Sequence, residues 1–356
     1  MIRVCTVVGA RPQFIKAAVV SRAFREAPDR YAESIIHTGQ HYDHGMSDVF
    51  FSELDIPKPD HNLGVGGGSH GQNTGRMLEK VEEVLVAERP DFVLLYGDTN
   101  STLAGVLAAV KLHIPVAHVE AGLRSYNRRM PEEINRVLTD HASSLLFTPT
   151  DLATRNLAGE GISAGKVLQV GDVMYDAALF YAGLAERNSG SLARFGLAPK
   201  GYALATIHRP ENTDDPMRLR GIFTGLEAAP MPVLLPLHPR TRKQIAAFDI
   251  AVPASVTIVD PVGYLDMVML ERNAALILTD SGGVQKEAYF HGVPCITMRD
   301  ETEWVELVDA GVNIIVGADP DRIRAALARS ITTVVPEGQL YGDGTAGTKI
   351  RDALQP

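Results

Sequence analysis

The sequence predicts an α/β protein made of two doubly wound domains with parallel sheets. Three observations carry this. Short runs that are apolar on both faces alternate with helix-length amphipathic segments, the pattern of a parallel sheet covered on both sides. The pattern restarts after a polar Gly/Ser stretch, RNSGSLARFGLAPKG at 187–201. The chain has 356 residues, more than one hydrophobic core usually organises.

The first series of strands is expected at Val4–Val8, Glu33–Thr38, Phe92–Tyr96, Val116–Val119 and Leu145–Phe147. Helices are expected between them at Gly71–Glu88, Ser101–Leu112 and Glu132–Ala142. The second series is expected at Tyr202–Ile207, Val233–Leu237, Val256–Val259, Leu276–Thr279, Pro294–Met298 and Asn313–Val316, with helices at Met217–Ala229 and Gly283–His291. The domains are placed at 1–170 and 171–345, with a linking helix after the boundary. Right-handed crossovers put the C-terminal strand ends of each sheet on one edge, where open α/β sheets bind ligands. Two such edges would form an interdomain cleft.

Composition narrows the function. The formal net charge is −9 and the mean hydropathy +0.00. Neither general nucleic-acid binding nor a membrane surface is expected from that balance. No run approaches the length of a membrane span, and the opening MIRVCTVVGARP reads as a first strand rather than a signal peptide. Cys5 and Cys295 both sit in apolar runs and read as buried core thiols, so a cytoplasmic location is expected. His37, His41 and His44 are spaced like ligands, but HTGQHYDHG reads as strand end and loop. With no HExxH or CxxC, no metal site is expected.

Chemistry-bearing residues fall at the strand ends. In VVGARPQFIK, Arg11 and Lys16 flank a helix N-terminus that suits an anion. In LLYGDTNSTLAG, Asp98 either caps the next helix or faces a ligand, and Thr99, Asn100 or Ser101 could do the capping instead. In HVEAGLRSYNRRMPEEINR, Glu120 stands at a strand end and Pro131-Glu132-Glu133 opens a helix. One of those two glutamates is accounted for by the helix dipole. In LILTDSGGVQKEA, Ser281, Gly282 and Gly283 lead from strand to helix and suit a diphosphate. Glu287, a helical turn in, suits ribose hydroxyls. His208 and Arg209 end the first strand of the second domain, where a histidine is a candidate acid or base. The glycine-dense GVGGGSHGQ at 64–72 follows no strand and reads as a loop or a closing flap.

Taken in order, GARPQFIK, GQH, GDTNSTLAG, HVEAGLR, PEEINR, HRPEN, TDSGGVQKEA, MRDETE and YGDGTAG resemble the non-hydrolysing UDP-N-acetylglucosamine 2-epimerases across essentially the whole chain. The resemblance implies a GT-B fold: two Rossmann-like domains, with a last helix at about 346–356 packing back on the first. It implies inversion at C2 of a UDP-linked N-acetyl amino sugar, by elimination of UDP to a glycal and its re-addition. It implies a homodimer, and no metal or organic cofactor. By motif, Asp98, Glu120 and Glu132 correspond to catalytic acids and bases, and His208 to a catalytic or orienting partner. Arg11, Ser281, Gly282, Gly283 and Glu287 correspond to UDP contacts, with Lys16, Arg136 and Arg209 as further substrate-site charges.

Some positions depart from the family pattern. Trp304-Val305 stands where Arg-Pro often follows MRD-x-TE, and Lys286 replaces a frequent glutamate. Gln40 and His41 match a GQH loop that holds an activating second substrate in some members. The Arg-Gln pair that accompanies it is absent, so the resemblance does not carry substrate activation. MRDETEWVE and LHPRTRK (237–243) resemble a branch that includes UDP-2,3-diacetamido-2,3-dideoxyglucuronate epimerases. Arg240 and Arg242 could meet a uronate carboxylate there, or be solvated surface charges. UDP-N-acetylglucosamine is the first expectation because it is the commoner substrate, and the diacetamido uronate is the alternative.

Overall fold

The computed structural model describes residues 1–39, 51, 54–329 and 340–355. Gln40, His41 and His44 lie outside the described residues. The chain forms two compact units, Met1–Ala177 with Tyr341–Pro356, and Ala178–Leu340.

The first unit is a seven-stranded sheet with every neighbouring pair parallel. Its strands are β1 (Ile2–Val8), β2 (Tyr31–His37), β3 (His61–Asn62), β4 (Phe92–Tyr96), β5 (Val116–Val119), β6 (Leu145–Thr148) and β7 (Val167–Gln169). They run in the order β3-β2-β1-β4-β5-β6-β7. The order reverses between β1 and β4, the crevice at which doubly wound sheets take ligands. Helices α1 (Arg11–Arg25), α2 (His70–Glu88), α3 (Asn100–Lys111), α4 (Pro131–Ala142) and α5 (Asp151–Gly159) link these strands. Central strands such as β4 are buried at every position, because helices cover both faces.

Helix α6 (Val173–Asn188) carries the chain out of this unit. The second unit adds α7 (Ser191–Phe195) and a six-stranded parallel sheet. That sheet comprises β8 (Ala203–Thr206), β9 (Val233–Pro236), β10 (Val256–Val259), β11 (Leu276–Thr279), β12 (Cys295–Thr297) and β13 (Asn313–Ile315). The order is β10-β9-β8-β11-β12-β13, with its reversal between β8 and β11. The intervening helices are α8 (Pro210–Thr213), α9 (Pro216–Leu226), α10 (Pro239–Ala247), α11 (Tyr264–Asn273), α12 (Gly282–Phe290), α13 (Val305–Asp309) and α14 (Pro320–Ala328).

The last helix, α15 (Ala346–Ala353), belongs to the first unit. A Cβ on its Gly347 would stand 2.8 Å from Val19 of α1, so glycine permits the close packing. The Tyr31 hydroxyl donates to the Arg351 carbonyl at 2.8 Å.

The structure differs from the expected elements in a few places. Strands β3 and β7 were not foreseen, because two or three residues carry too little pattern. The last residues of GVGGGSHGQ open α2, where the Ser69 hydroxyl caps the helix by accepting from the Gln72 amide at 3.4 Å. Helix α9 ends at Leu226, short of the expected Ala229. Both cysteines are buried, and burial pushes each thiol up to about 12. Among the described residues no helix is long and apolar enough to cross a membrane.

Candidate active site

In the first unit, the candidate side chains gather where β1, β4 and β5 end. Helix α1 begins at Arg11 with Pro12 in its first turn. The Gln13 side chain accepts from the Gly9 amide at 2.8 Å and donates to the Tyr96 carbonyl at 2.7 Å, joining the ends of β1 and β4. One turn along α1, Lys16 forms an ion pair with Glu120, and both side chains are largely shielded from solvent. Glu120 follows β5 with a φ of 67°, the left-handed region. For a non-glycine residue that conformation costs about 1–3 kcal/mol and persists only where its surroundings over-determine it. Gly97 follows β4 with a φ of +64°. A Cβ there would stand 3.4 Å from the Glu120 carboxylate and 3.7 Å from the Lys16 ammonium. The missing side chain leaves room for both.

Asp98 does not cap the next helix. Thr99 does, accepting from the Thr102 amide at 3.3 Å. Asp98 instead pairs with Arg136 at 2.6 Å. Asn135, beside Arg136 on α4, donates to the Asp98 carbonyl at 2.9 Å. The start of α4 is thus docked on the Asp98 turn.

The adjacent glutamates separate here. Glu133 is buried and accepts from the Ser125 amide (2.9 Å) and hydroxyl (3.0 Å), the Tyr126 amide (3.0 Å) and Arg136 (2.9 Å). Burial acts to raise its pKa, but these donors prevail and hold it below the usual carboxylate value. Glu133 therefore orders the loop. Glu132 is exposed and makes no hydrogen bond or ion pair among the described residues. It lies three and four residues before Asn135 and Arg136, on the helix face that meets the Asp98 turn.

Two residues that sequence reasoning passed over complete this side. Asp140 is buried, and His118 and Arg124 each approach it to 2.7 Å. Arg124 also pairs with Glu160 at 2.7 Å. The motif arginine thus has carboxylate partners inside the fold. Burial acts to raise the Asp140 pKa, but His118 and Arg124 hold it low.

In the second unit the corresponding edge lies between β8 and β11, whose residues pair from Leu276↔Ala203 to Thr279↔Thr206. This register sets His208 and Arg209 beside Asp280–Gly283. Asp280, fully buried, accepts from the His208 amide (3.1 Å), the Arg209 amide (3.0 Å) and Asn212 (3.2 Å). Its Oδ1 is 3.2 Å from His208 Nδ1, which leaves the half-exposed ring aimed outward by a carboxylate. Burial acts to raise the Asp280 pKa, and the His208, Arg209 and Asn212 contacts keep it low. Its role was hidden because it depends on β8 lying next to β11.

Ser281 caps α12, and Gly282 and Gly283 open it. Gly283 is exposed at the N-terminus of α12, a position of the kind that suits an anion. Glu287 lies one turn in, and burial pushes its carboxyl above the ordinary value. Lys286 is turned away, its ammonium 4.2 Å from the Trp304 ring centroid. This pairs the two departures from the family pattern with each other. Arg240 forms an ion pair with Asp214, and Arg242 pairs with Asp260 at 2.9 Å.

A glycine-opened helix N-terminus beside the Glu287 carboxyl, and a separate cluster of acids and cations, are features a nucleotide-sugar enzyme could use. Comparison with known proteins agrees. The family model described as UDP-N-acetylglucosamine 2-epimerase matches residues 22–355. The chain is 54% identical to a UDP-2,3-diacetamido-2,3-dideoxy-D-glucuronate 2-epimerase of Pseudomonas aeruginosa, over 99% of both chains. It is 45% identical to a UDP-N-acetylglucosamine 2-epimerase of Methanocaldococcus jannaschii, over 97% of this chain and 96% of that one. A crystal structure of the M. jannaschii enzyme with UDP-GlcNAc and UDP superposes with a TM-score of 0.88 at 44% identity, covering 99% of each chain. A Neisseria meningitidis 2-epimerase bound to UDP-GlcNAc superposes at 0.89 with 32% identity, again over 99% of each. With a family match over most of its length and relatives that span it end to end, this chain belongs to the UDP-N-acetylglucosamine 2-epimerase family.

Proposed function

We propose that the protein epimerises C2 of UDP-2,3-diacetamido-2,3-dideoxyglucuronate. The observation that carries this is the 54% identity over 99% of both chains to an enzyme with that name. It moves the substrate from the first expectation to the alternative. A second reading, UDP-N-acetylglucosamine, is supported by the 45% identical M. jannaschii enzyme and its structural likeness.

The C2 proton of such a sugar is not next to a carbonyl, so deprotonation alone is costly. Loss of UDP from C1 as the C2 proton leaves gives a glycal. Re-addition of UDP, with a proton delivered to the opposite face of C2, completes the inversion. The reaction needs a base, an acid placed on another face and stabilisation of the leaving diphosphate. In this reading Asp98, Glu120 and Glu132 are the proton carriers, with Lys16 and Arg136 setting the charge around the first two. Ser281, Gly282 and Gly283 hold the diphosphate and Glu287 the ribose. His208, oriented by Asp280, Arg209 and Arg11 complete the nucleotide-sugar contacts. A cytoplasmic homodimer is part of the same reading, and rests on the family resemblance.

The test is incubation with each UDP-sugar in D2O, followed by NMR. The proposal expects deuterium at C2 and a second epimer with the diacetamido uronate, faster than with UDP-N-acetylglucosamine. Faster turnover of UDP-N-acetylglucosamine would establish the second reading. No C2 exchange with either sugar would end both.

A further inference from the structure

We propose that Asp140 is a positioning residue: through the His118 imidazole and the Gly122 amide it clamps the turn that carries Glu120 and ties that turn to the Gly97–Asp98 corner. The inference rests on the proposed roles of Glu120 and Asp98 in proton transfer.

The geometry is closed and buried. His118 is the third residue of β5 and Gly122 follows two residues after Glu120, so the two bracket the glutamate. Both are bound to one carboxylate. Asp140 Oδ1 is 2.7 Å from His118 Nδ1, and Asp140 Oδ2 accepts from the Gly122 amide at 3.1 Å. The other ring nitrogen, Nε2, donates to the Gly97 carbonyl at 2.7 Å. A carbonyl is an acceptor only, so Nε2 carries a hydrogen, and the ring bridges the Gly97 carbonyl and the Asp140 carboxylate. Asp140 and His118 are each only 1% exposed.

Two turns and a helix are thereby joined: the Gly97 corner after β4, the Glu120 turn, and α4, which carries Glu132, Asn135 and Arg136. The backbone at the joints is one that few residues adopt unaided. Gly97, Glu120 and Gly122 have φ of 64°, 67° and 81°. A left-handed glutamate needs a device that holds it there. The residues two before and two after Glu120 are bound by Asp140, in the buried interior where no solvent competes for those bonds. Asp140 itself lies near the C-terminal end of α4, well along the helix from Glu132, so its action on Glu120 runs through His118 and Gly122.

The test compares kcat, KM for the nucleotide sugar and UDP affinity by calorimetry, on protein whose melting temperature shows it folded. Asp140→Ala removes the clamp and His118→Phe removes both ring bonds while keeping an aromatic ring. Either should lower kcat about 100-fold, the loss expected when a reacting group moves by about 1 Å, with KM and UDP affinity close to wild type. Asp140→Asn is the conservative rescue. Its amide oxygen can accept from Gly122 and from Arg124, its NH2 can donate to an unprotonated Nδ1, and Nε2–H can still reach Gly97. That variant should keep kcat near wild type.

Three results would overturn the clamp. One is a folded Asp140→Ala enzyme with wild-type kcat. Another is an Asp140→Asn loss as large as the Ala loss. The third is recovery of Asp140→Ala and His118→Phe only as unfolded protein, which would make the network a fold determinant. Wild-type protein inactive on both UDP-sugars would instead remove the functional reading on which the clamp depends.

Discussion

Glu132 and Glu133 are chemically identical neighbours, and the structure predicts opposite consequences for replacing them. Glu133 accepts four hydrogen bonds from Ser125, Tyr126 and Arg136 in a buried position. Glu133→Gln keeps one acceptor oxygen and turns the other into a donor. At least one buried donor then loses its acceptor, at about 1–3 kcal/mol, and Arg136 loses one of its two negative partners. A total near 3 kcal/mol is expected. At about 2–4 °C per kcal/mol for a domain of 150–250 residues, melting should fall by roughly 6–12 °C. Glu132→Gln changes an exposed side chain with no hydrogen bond or ion pair among the described residues, so stability should stay within about 0.5 kcal/mol. Its kcat should nonetheless fall by about 10²–10⁴, the usual worth of a positioned acid or base. The assays are thermal melting and turnover of a UDP-sugar by NMR. A Glu132→Gln enzyme with wild-type kcat, or a Glu133→Gln protein with an unchanged melting temperature, would refute the reasoning.

Further consequences follow from burial and backbone geometry. Glu33 is pushed up to about 7 by burial, against a 2.6 Å bond from the Thr6 hydroxyl. Its folded pKa lies above the unfolded one, so the neutral form favours folding at low pH and that stability is lost as pH rises through about 7. Glu33→Gln should therefore raise the melting temperature more at pH 8 than at pH 5, and an equal change at both values would count against it. Burial also raises Glu287, and its ionised form is the stronger acceptor for the ribose hydroxyls it is proposed to hold. Calorimetry with UDP-N-acetylglucosamine, whose diphosphate diester does not titrate near neutrality, should show affinity weakening as pH falls from 8.5 to 6. Glu287→Gln should flatten that dependence, and an unchanged slope would exclude Glu287 as its source. Gly97→Ala puts a Cβ 3.4 Å from the Glu120 carboxylate at a φ of +64°, a strain of about 1–2 kcal/mol. It should lower kcat and leave UDP affinity intact, and a wild-type kcat would show that the corner tolerates displacement.

Much of the fold was legible in the chain because its signals are local. Short, nearly all-apolar runs such as FVLLY and LILT, bounded by turn residues, suit central strands of a covered sheet, and β4, β5, β10 and β11 fall at the expected residues. The motif residues fall at strand ends because a strand stops where glycine, aspartate and proline begin. The P. aeruginosa likeness, by contrast, ranked the uronate above the commoner sugar, a choice no single motif had decided.

What the sequence determined by itself was the alternation of strands and helices, the two doubly wound sheets and the strand ends where chemistry collects. Only the tertiary structure decided which acid is buried and which is open. Glu132 and Glu133 differ by about 100° around α4, and the direction of the core sets which one turns inward. Likewise Asp98 proved to be the partner of Arg136 rather than a helix cap. Asp280 proved to orient His208, and Asp140 to join two turns to α4. Each of these pairings joins residues far apart in the chain, eighteen positions in the nearest case, and exists because the fold sets particular strand ends side by side, a relation that local periodicity does not encode.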